Sequence, residues 1–246
     1  MNRIVGYTLT AALVAVAATL LALGARLASG YDAVTVADGG SIKGKVVFNG
    51  TLPSKLKIVP TKDREVCGSG VREVDQITVG PDKGVQEAVV YLAKVEKGKP
   101  WPKPAKAPEV ENLKCDFVPH VQVMPPGDFV VVNSDPVLHN TKSFFDRTPV
   151  FNLALPNQGQ RITRSIKRTG IMRIECDAHG WMLGWAYVAD NPYYAITSKD
   201  GTFTITDVPP GSYTLVAWQE FTGPVEAPVA VKAKEPTSIT VELTKK

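Results

Sequence analysis

Residues 174–183 read Ile-Glu-Cys-Asp-Ala-His-Gly-Trp-Met-Leu. They hold Cys176, His179 and Met182, each three residues after the one before. An alternating apolar run precedes this stretch and another follows it. The pattern predicts two β-strands joined by a short turn that carries three metal-ligand side chains.

The chemistry of these side chains indicates copper. A thiolate is a soft ligand, an imidazole is borderline and a thioether is weak, and together these ligand types select copper. A second imidazole is available at His139, at the end of an apolar run that begins at Phe129. Two histidines and one cysteine in a trigonal set, with a long axial methionine, make the blue-copper electron-transfer site. The expected ligands are therefore His139, Cys176, His179 and Met182.

The spacing resembles that of the cupredoxin family. Cys-x-x-His-x-x-Met follows a strand, and Asn-x-Asp-x-x-x-His-Asn, residues 133–140, precedes it along the chain. The loop spacing is similar to that of amicyanins and the upstream pattern to that of plastocyanins and pseudoazurins, over residues 113–190. The resemblance implies a Greek-key β-sandwich with one type 1 copper and Met182 as its axial ligand. It also implies that Asn140 ties the two ligand loops by hydrogen bonds, and that an exposed edge of His179 is the electron port.

Other roles for single residues stay open. A lone Cys, His or Met on an apolar strand is usually a packing residue, and only the combined spacing favours copper. Two of the three histidines are used in the predicted site. The third, His120, is either a relay, an outer partner, a second metal ligand or a strand residue satisfied by a backbone group, and we leave it out of the ligand set. Trp181 is either an exposed contact for a redox partner or a core residue.

The N-terminus indicates export. Residues 4–23 carry no charge and are mostly Ala, Leu and Val, with Arg3 before them and Arg26 after them. Residues 1–30 are therefore either a signal peptide or an uncleaved membrane-anchor helix. Both roles place the remaining chain in the periplasm or on the outer face of the membrane.

The cysteine count agrees with export. Once Cys176 is assigned to the metal, Cys67 and Cys115 remain. They form either one disulfide, which persists only in an oxidising compartment, or two unpaired buried thiols. We predict the disulfide.

Composition favours an all-β protein that does not bind nucleic acid. The chain has 19 Pro and 20 Gly, which suits short strands joined by turns, and no long helical period follows residue 30. The formal net charge is only +4 over 246 residues. Nucleic-acid binding needs a clustered basic face, and this charge is too small to argue for one, so we expect no nucleic-acid partner.

The flanking regions predict a second domain. The run Asp-Gly-x-Phe-x-x-x-x-Val-Pro-Pro-Gly-x-Tyr-x-Leu, residues 200–215, resembles carboxypeptidase regulatory-like modules, which are transthyretin-like β-sandwiches. The C-terminal segment alone offers too few strands for a core. We therefore predict one sandwich made of residues 34–100 and 190–246, with the cupredoxin domain, residues 113–189, inserted between them. Three consecutive small units are the alternative.

Individual strands follow from local patterns. Alternation predicts one unbroken strand over residues 116–123 and a weaker one over residues 76–79. Residues 195–205 predict a hairpin with its turn at Asp200 and Gly201.

The expected function is electron transfer, without catalysis. Copper enzymes need additional histidine-built sites, and a chain with three His cannot supply them. Phosphate-loop and dinucleotide-binding motifs are absent from the sequence. The expected partner is a redox protein such as a c-type cytochrome, or a membrane complex. The alternatives are a scaffold or interaction subunit of a respiratory or photosynthetic complex, and a copper-delivery protein.

Overall fold

The computed structural model describes residues 30–245. The predicted signal or anchor helix at residues 4–23 lies outside this range. Strands account for 54% of the structure and helix for 3%, which confirms the all-β fold class. Within the described range, none of the helical segments has the length and apolarity that a membrane crossing requires.

Twenty strands and one short α-helix, α1 (Arg64–Cys67), lie in the described part of the chain. Numbered in chain order, the strands are β1 Asp32–Ala33, β2 Gly40–Phe48, β3 Leu56–Ile58, β4 Arg72–Val74, β5 Val89–Ala93, β6 Lys97–Gly98, β7 Glu109–Leu113, β8 Asp116–Val118, β9 Val121–Met124, β10 Gly127–Asn133, β11 His139–Phe145, β12 Thr148–Leu155, β13 Arg161–Ile166, β14 Gly170–Cys176, β15 Leu183–Val188, β16 Tyr194–Ile196, β17 Thr202–Val208, β18 Gly211–Gln219, β19 Gly223–Val231 and β20 Pro236–Leu243.

The strands from the two ends of the described chain share two sheets, which we call the split sandwich. Their orders are β16-β5-β18-β19 and β17-β2-β20. Both chain segments feed one apolar core, with Ile42 and Leu92 from the first and Leu215 and Leu243 from the second. Strand β2 forms because its apolar side chains alternate, and its Ile42 faces this core fully buried. The division of the chain into folding domains and the likeness to transthyretin stay predictions.

The strands in between form two further sheets, which we call the inner sandwich. Their orders are β13-β10-β7-β8 and β12-β11-β14-β15-β9. Phe129, Leu155, Met172 and Ile174 are fully buried between these sheets. The adjacent strands β11 and β14 lie inside the five-stranded sheet, and the predicted ligands His139 and Cys176 lie at their ends.

Three local predictions were wrong. The strand predicted at residues 116–123 is broken at Pro119, which cannot donate to a ladder, and β8 and β9 belong to different sheets. Residues 76–79 form only an isolated bridge at Val79. No hairpin forms around Gly201: β16 pairs with β5 and β17 with β2, so the turn carries the chain from one sheet to the other.

The two sandwiches contact each other through an aromatic layer. The rings of Tyr91 and Tyr187 stack with centroids 4.2 Å apart, and Trp185 meets Trp218 edge-on at 5.0 Å. Offset and edge-to-face ring pairs stabilise beyond the area that they bury. Trp185, which alternates with Tyr187 on β15, is half-buried in this contact.

His120 joins the same contact and has no place among the predicted ligands. Its Nε2 lies 2.9 Å from Oε1 of Glu220, and its Nδ1 lies 3.0 Å from the carbonyl oxygen of Leu183. The other carboxylate oxygen of Glu220 accepts a hydrogen bond from the indole of Trp185. Burial lowers the pKa of His120, but the hydrogen bond and charge of Glu220 outweigh it and raise the pKa above the usual value.

We expect the His120–Glu220 pair to make stability depend on pH. The pKa of His120 is raised in the folded state. The pair therefore adds fully to the free energy of unfolding below the unfolded-state pKa of about 6.5, and this addition is lost as pH rises through the folded-state pKa. His120→Gln should therefore destabilise the protein in mild acid, by at most about 1 kcal/mol since the ring is partly exposed, and have no effect in mild alkali. Urea unfolding at both pH values measures this, with exposed Glu73→Gln as control. An equal loss at both pH values would contradict the assignment.

Candidate metal centre

The loop that carries three of the predicted ligands is held by a strand pair. Strand β14 ends at Cys176 and β15 begins at Leu183, and Glu175 pairs with Leu183 across the two strands. The backbone N–H of Met182 donates to the carbonyl oxygen of His179 at 2.9 Å and closes the turn. Two paired strand ends and one internal hydrogen bond thus fix the loop.

His139 reaches this loop from the neighbouring strand. Strand β11 begins at His139, and Thr141 pairs with Cys176 on β14. Because adjacent antiparallel strands lie about 4.8 Å apart, this register places the start of β11 beside the end of β14. The sheet therefore brings together two candidate ligands that are far apart in the sequence.

Three donor atoms converge at this point. Sγ of Cys176 lies 3.9 Å from Nδ1 of His139 and 3.8 Å from Nδ1 of His179, and the two Nδ1 atoms lie 3.1 Å apart. The exposed fraction of these residues is 3% for Cys176 and 0% for both histidines. An ion bound about 2.0 Å from each nitrogen and about 2.3 Å from the sulfur bridges atoms up to about 4 Å apart. The three separations fit one metal ion.

In each imidazole ring, the hydrogen bond made by Nε2 determines whether Nδ1 carries a proton. Nε2 of His139 lies 2.9 Å from Oδ2 of Asp135, and Nε2 of His179 lies 2.9 Å from Oδ2 of Asp63. An ionised carboxylate only accepts hydrogen bonds, so in both rings Nε2–H is the donor. A neutral ring then has a bare lone pair on Nδ1. The two Nδ1 atoms face each other 3.1 Å apart in a buried space, and a bound cation would stabilise lone pairs placed there.

Backbone hydrogen bonds hold the Asp135 carboxylate in position beside His139. Its carboxylate also accepts hydrogen bonds from the backbone N–H of Lys114 at 2.6 Å and of Cys115 at 2.9 Å.

Burial lowers the pKa of His139. The hydrogen bond to Asp135 raises that pKa and the neighbouring His179 lowers it further, so the net pKa is below the usual value. His139 is therefore neutral at pH 7, which is the form that binds metals.

Asn140 lies between the two ligand segments, as the resemblance implied. Its backbone N–H points at Sγ of Cys176 at 3.5 Å, and its side-chain oxygen accepts from the backbone N–H of Asp177 at 3.3 Å. Its amide nitrogen donates to the side chain of Asn152 on β12. These contacts join the start of β11 to the ligand loop.

Met182 is buried in the same apolar cluster as Cys176, with an exposed fraction of 2%. Its role as axial ligand stays a prediction. Trp181 is half-buried: its indole N–H donates to the carbonyl oxygen of Cys115 at 3.1 Å, and its ring meets that of His179 edge-on at 5.2 Å. Its role as a partner contact also stays a prediction.

The predicted disulfide between Cys67 and Cys115 is present. Both of its sulfur atoms lie within 4.8 Å of a ring nitrogen of His179. The disulfide therefore packs against the centre, and it joins α1 to the turn between β7 and β8.

The expected exposed edge of His179 was wrong. The ring is fully buried because Asp63, at the start of α1, covers its outer nitrogen. Asp63 gave no signal of this role in the sequence, since it lies far from the ligand loop. Asp135 stood inside the quoted motif, but only the structure shows that it holds His139.

Comparisons with known proteins give partial matches. The family model described as polysaccharide lyase family 4, domain II, matches residues 176–239, which excludes His139. A comparison with curated proteins finds no match.

Solved structures that resemble part of the chain include a nitrite reductase, a cupredoxin and an amicyanin. The copper-containing nitrite reductase from Thermus scotoductus is 21% identical over 36% of this chain and 23% of its own, with a TM-score of 0.31. A purple cupredoxin from Nitrosopumilus maritimus is 23% identical over 33% of this chain and 99% of its own, with a TM-score of 0.30. Amicyanin from Paracoccus versutus is 17% identical over 41% of this chain and 97% of its own, with a TM-score of 0.31. Matches at this level do not identify the function of this chain, which must be inferred from its own ligands.

We predict that Cys176→Ser removes the thiolate from the centre. Copper-loaded variant protein should lack the visible absorption that arises from charge transfer between a thiolate and Cu(II), because serine offers no such donor. An absorption spectrum measures this. His120→Gln, which changes a histidine outside the centre, should keep the colour, and a coloured Cys176→Ser variant would contradict the ligand assignment.

Proposed function

We propose that this protein is an exported single-electron carrier with one type 1 copper. His139, Cys176 and His179 would hold the metal in a plane, and Met182 would be the axial ligand. The copper would supply the change of oxidation state, and the protein would supply the ligands, their rigidity and the exclusion of water.

The observation that supports this proposal best is the convergence of three buried donor atoms, one sulfur and two imidazole nitrogens, 3.1 to 3.9 Å apart. One soft sulfur and two imidazoles form the equatorial set of blue-copper sites. Structural zinc sites usually have four cysteine and histidine ligands, and methionine is not among the usual zinc ligands.

The surroundings suit rapid electron transfer. Cys176 is held by its strand and by the N–H of Asn140, and each imidazole is held by a carboxylate. Outer partners of this kind fix ring orientation and tautomer. Ligands on rigid elements keep one geometry when the charge of the metal changes, so little energy is spent on rearrangement.

The proposal includes a compartment, a partner and the absence of catalysis. A disulfide of this kind persists outside the reducing cytoplasm, which agrees with export to the periplasm or the outer membrane face. The partner would be a redox protein such as a c-type cytochrome, or a membrane complex. His120, the one histidine left, is engaged with Glu220, which supports the expectation of a single copper site.

The burial of the ligands favours a carrier over a copper-delivery protein. Delivery requires ligands that a recipient can reach and replace, whereas here the exposed fraction of the three ligands is at most 3%. A scaffold subunit would need no copper at all, and metal binding separates it from a carrier.

Copper loading tests the proposal. We expect one copper per chain, an intense visible band in the Cu(II) form, loss of the band with one electron of reductant, and its return on oxidation. Zinc-loaded protein is the control and should be colourless. Stoichiometric copper without the band, or no copper, would favour the scaffold, and rapid loss of copper to a chelator would favour delivery.

We predict that Met182→Leu raises the reduction potential of the copper. Leucine removes one axial donor and makes the surroundings of the copper more apolar, which disfavours the more highly charged Cu(II), so the redox equilibrium should shift roughly tenfold toward Cu(I), or about 59 mV. Voltammetry measures the change. Met172→Leu is the matched control, because Met172 is also a buried methionine and lies on β14. It should leave the reduction potential unchanged. Equal potentials for the two variants would mean that Met182 is not axial.

A further inference from the structure

The outer edge of His179 is closed by one carboxylate. Oδ2 of Asp63 lies 2.9 Å from Nε2 of His179. The imidazole is fully buried, whereas the side chain of Asp63 is 37% exposed. Asp63 thus covers the outer nitrogen of this ring and is itself in contact with solvent.

Asp63 is held in place from two directions. Its backbone is in the left-handed region, at φ 47° and ψ 42°, which aspartate tolerates, and its carbonyl oxygen accepts hydrogen bonds from the N–H groups of Val66 and Cys67. Cys67 is bonded to Cys115, whose sulfur also lies beside His179. The disulfide therefore fixes the segment that carries Asp63 against the ring.

A second tie follows further along the chain. Arg72 forms an ion pair with Asp116 on β8, the strand after Cys115. Residues 63–72 are thus attached to the inner sandwich at Asp63, at Cys67 and at Arg72.

We propose that Asp63 is a positioning residue for His179. Its carboxylate accepts Nε2–H, which keeps Nδ1 free for the metal and sets the plane of the ring. Its negative charge, close to the centre and partly shielded from water, stabilises the more positive oxidation state of the metal. Asp63 therefore lowers the reduction potential and keeps water from the edge of His179. This inference depends on the proposed function only for its metal-dependent part.

The chain offers a matched control for the charge. Asp82 also has a left-handed backbone, at φ 50°, and its exposed side chain pairs with Lys45 of the split sandwich. Asp63→Asn and Asp82→Asn remove the same charge from the same backbone region, and asparagine tolerates that region. Asparagine at 63 still offers an oxygen to Nε2–H, so it removes the charge and keeps an acceptor.

Voltammetry of the copper-loaded variants tests the charge. Asp63→Asn should shift the equilibrium between Cu(II) and Cu(I) roughly tenfold toward Cu(I), a rise of about 59 mV for one electron, while Asp82→Asn leaves it unchanged. Asp63→Asn should keep the visible band and the urea midpoint of the wild type. Equal potentials in the two variants would overturn the role of the charge.

Nuclear magnetic resonance of the metal-free protein tests the contact without copper. In wild-type protein with labelled histidine, Nε2 of His179 should carry a proton that exchanges slowly with water, and in Asp63→Ala this exchange should be at least roughly tenfold faster. A proton on Nδ1 instead, or unchanged exchange in Asp63→Ala, would overturn the proposal. If wild-type protein takes up no blue copper but the exchange result holds, the proposed function fails and the positioning role of Asp63 stands.

Discussion

Three electron-pair donors that face one another in a buried space are the constraint on which this structure depends. Burying the sulfur of Cys176 and the Nδ1 atoms of two imidazoles within 3.9 Å of each other is unfavourable unless something positive lies between them. The protein maintains this arrangement by using the far nitrogen of each ring as a donor to a carboxylate. Asp135 and Asp63 therefore hold the two rings with their free lone pairs toward the same point.

The strand register of the fold brings these three donor atoms together. The pairing of Thr141 with Cys176 places His139 beside the ligand loop, and the pairing of Glu175 with Leu183 closes that loop. The disulfide adds the third support, because it brings α1 and Asp63 from a segment before the inner sandwich onto the ring of His179. Sheet, loop and cross-link each position one side of the centre.

Sequence patterns could predict the candidate ligands because their chemistry is local. The three-residue spacing of Cys176, His179 and Met182 requires only a tight turn, and the all-β class follows from alternation and turn residues. Asp63 was beyond prediction, since its contact spans 116 positions and depends on a disulfide and a four-residue helix. For the same reason the resemblance to cupredoxins wrongly implied an exposed His179. The errors at Pro119 and Gly201 also have one cause: alternation identifies a strand without saying which sheet it joins.

X-ray absorption spectroscopy of the copper-loaded protein tests the central claim most directly, because it counts the atoms bound to the metal. We predict one short sulfur contact and two nitrogen contacts, with nearly the same distances in both oxidation states. A copper surrounded only by nitrogen and oxygen, or by two short sulfurs, would contradict the account.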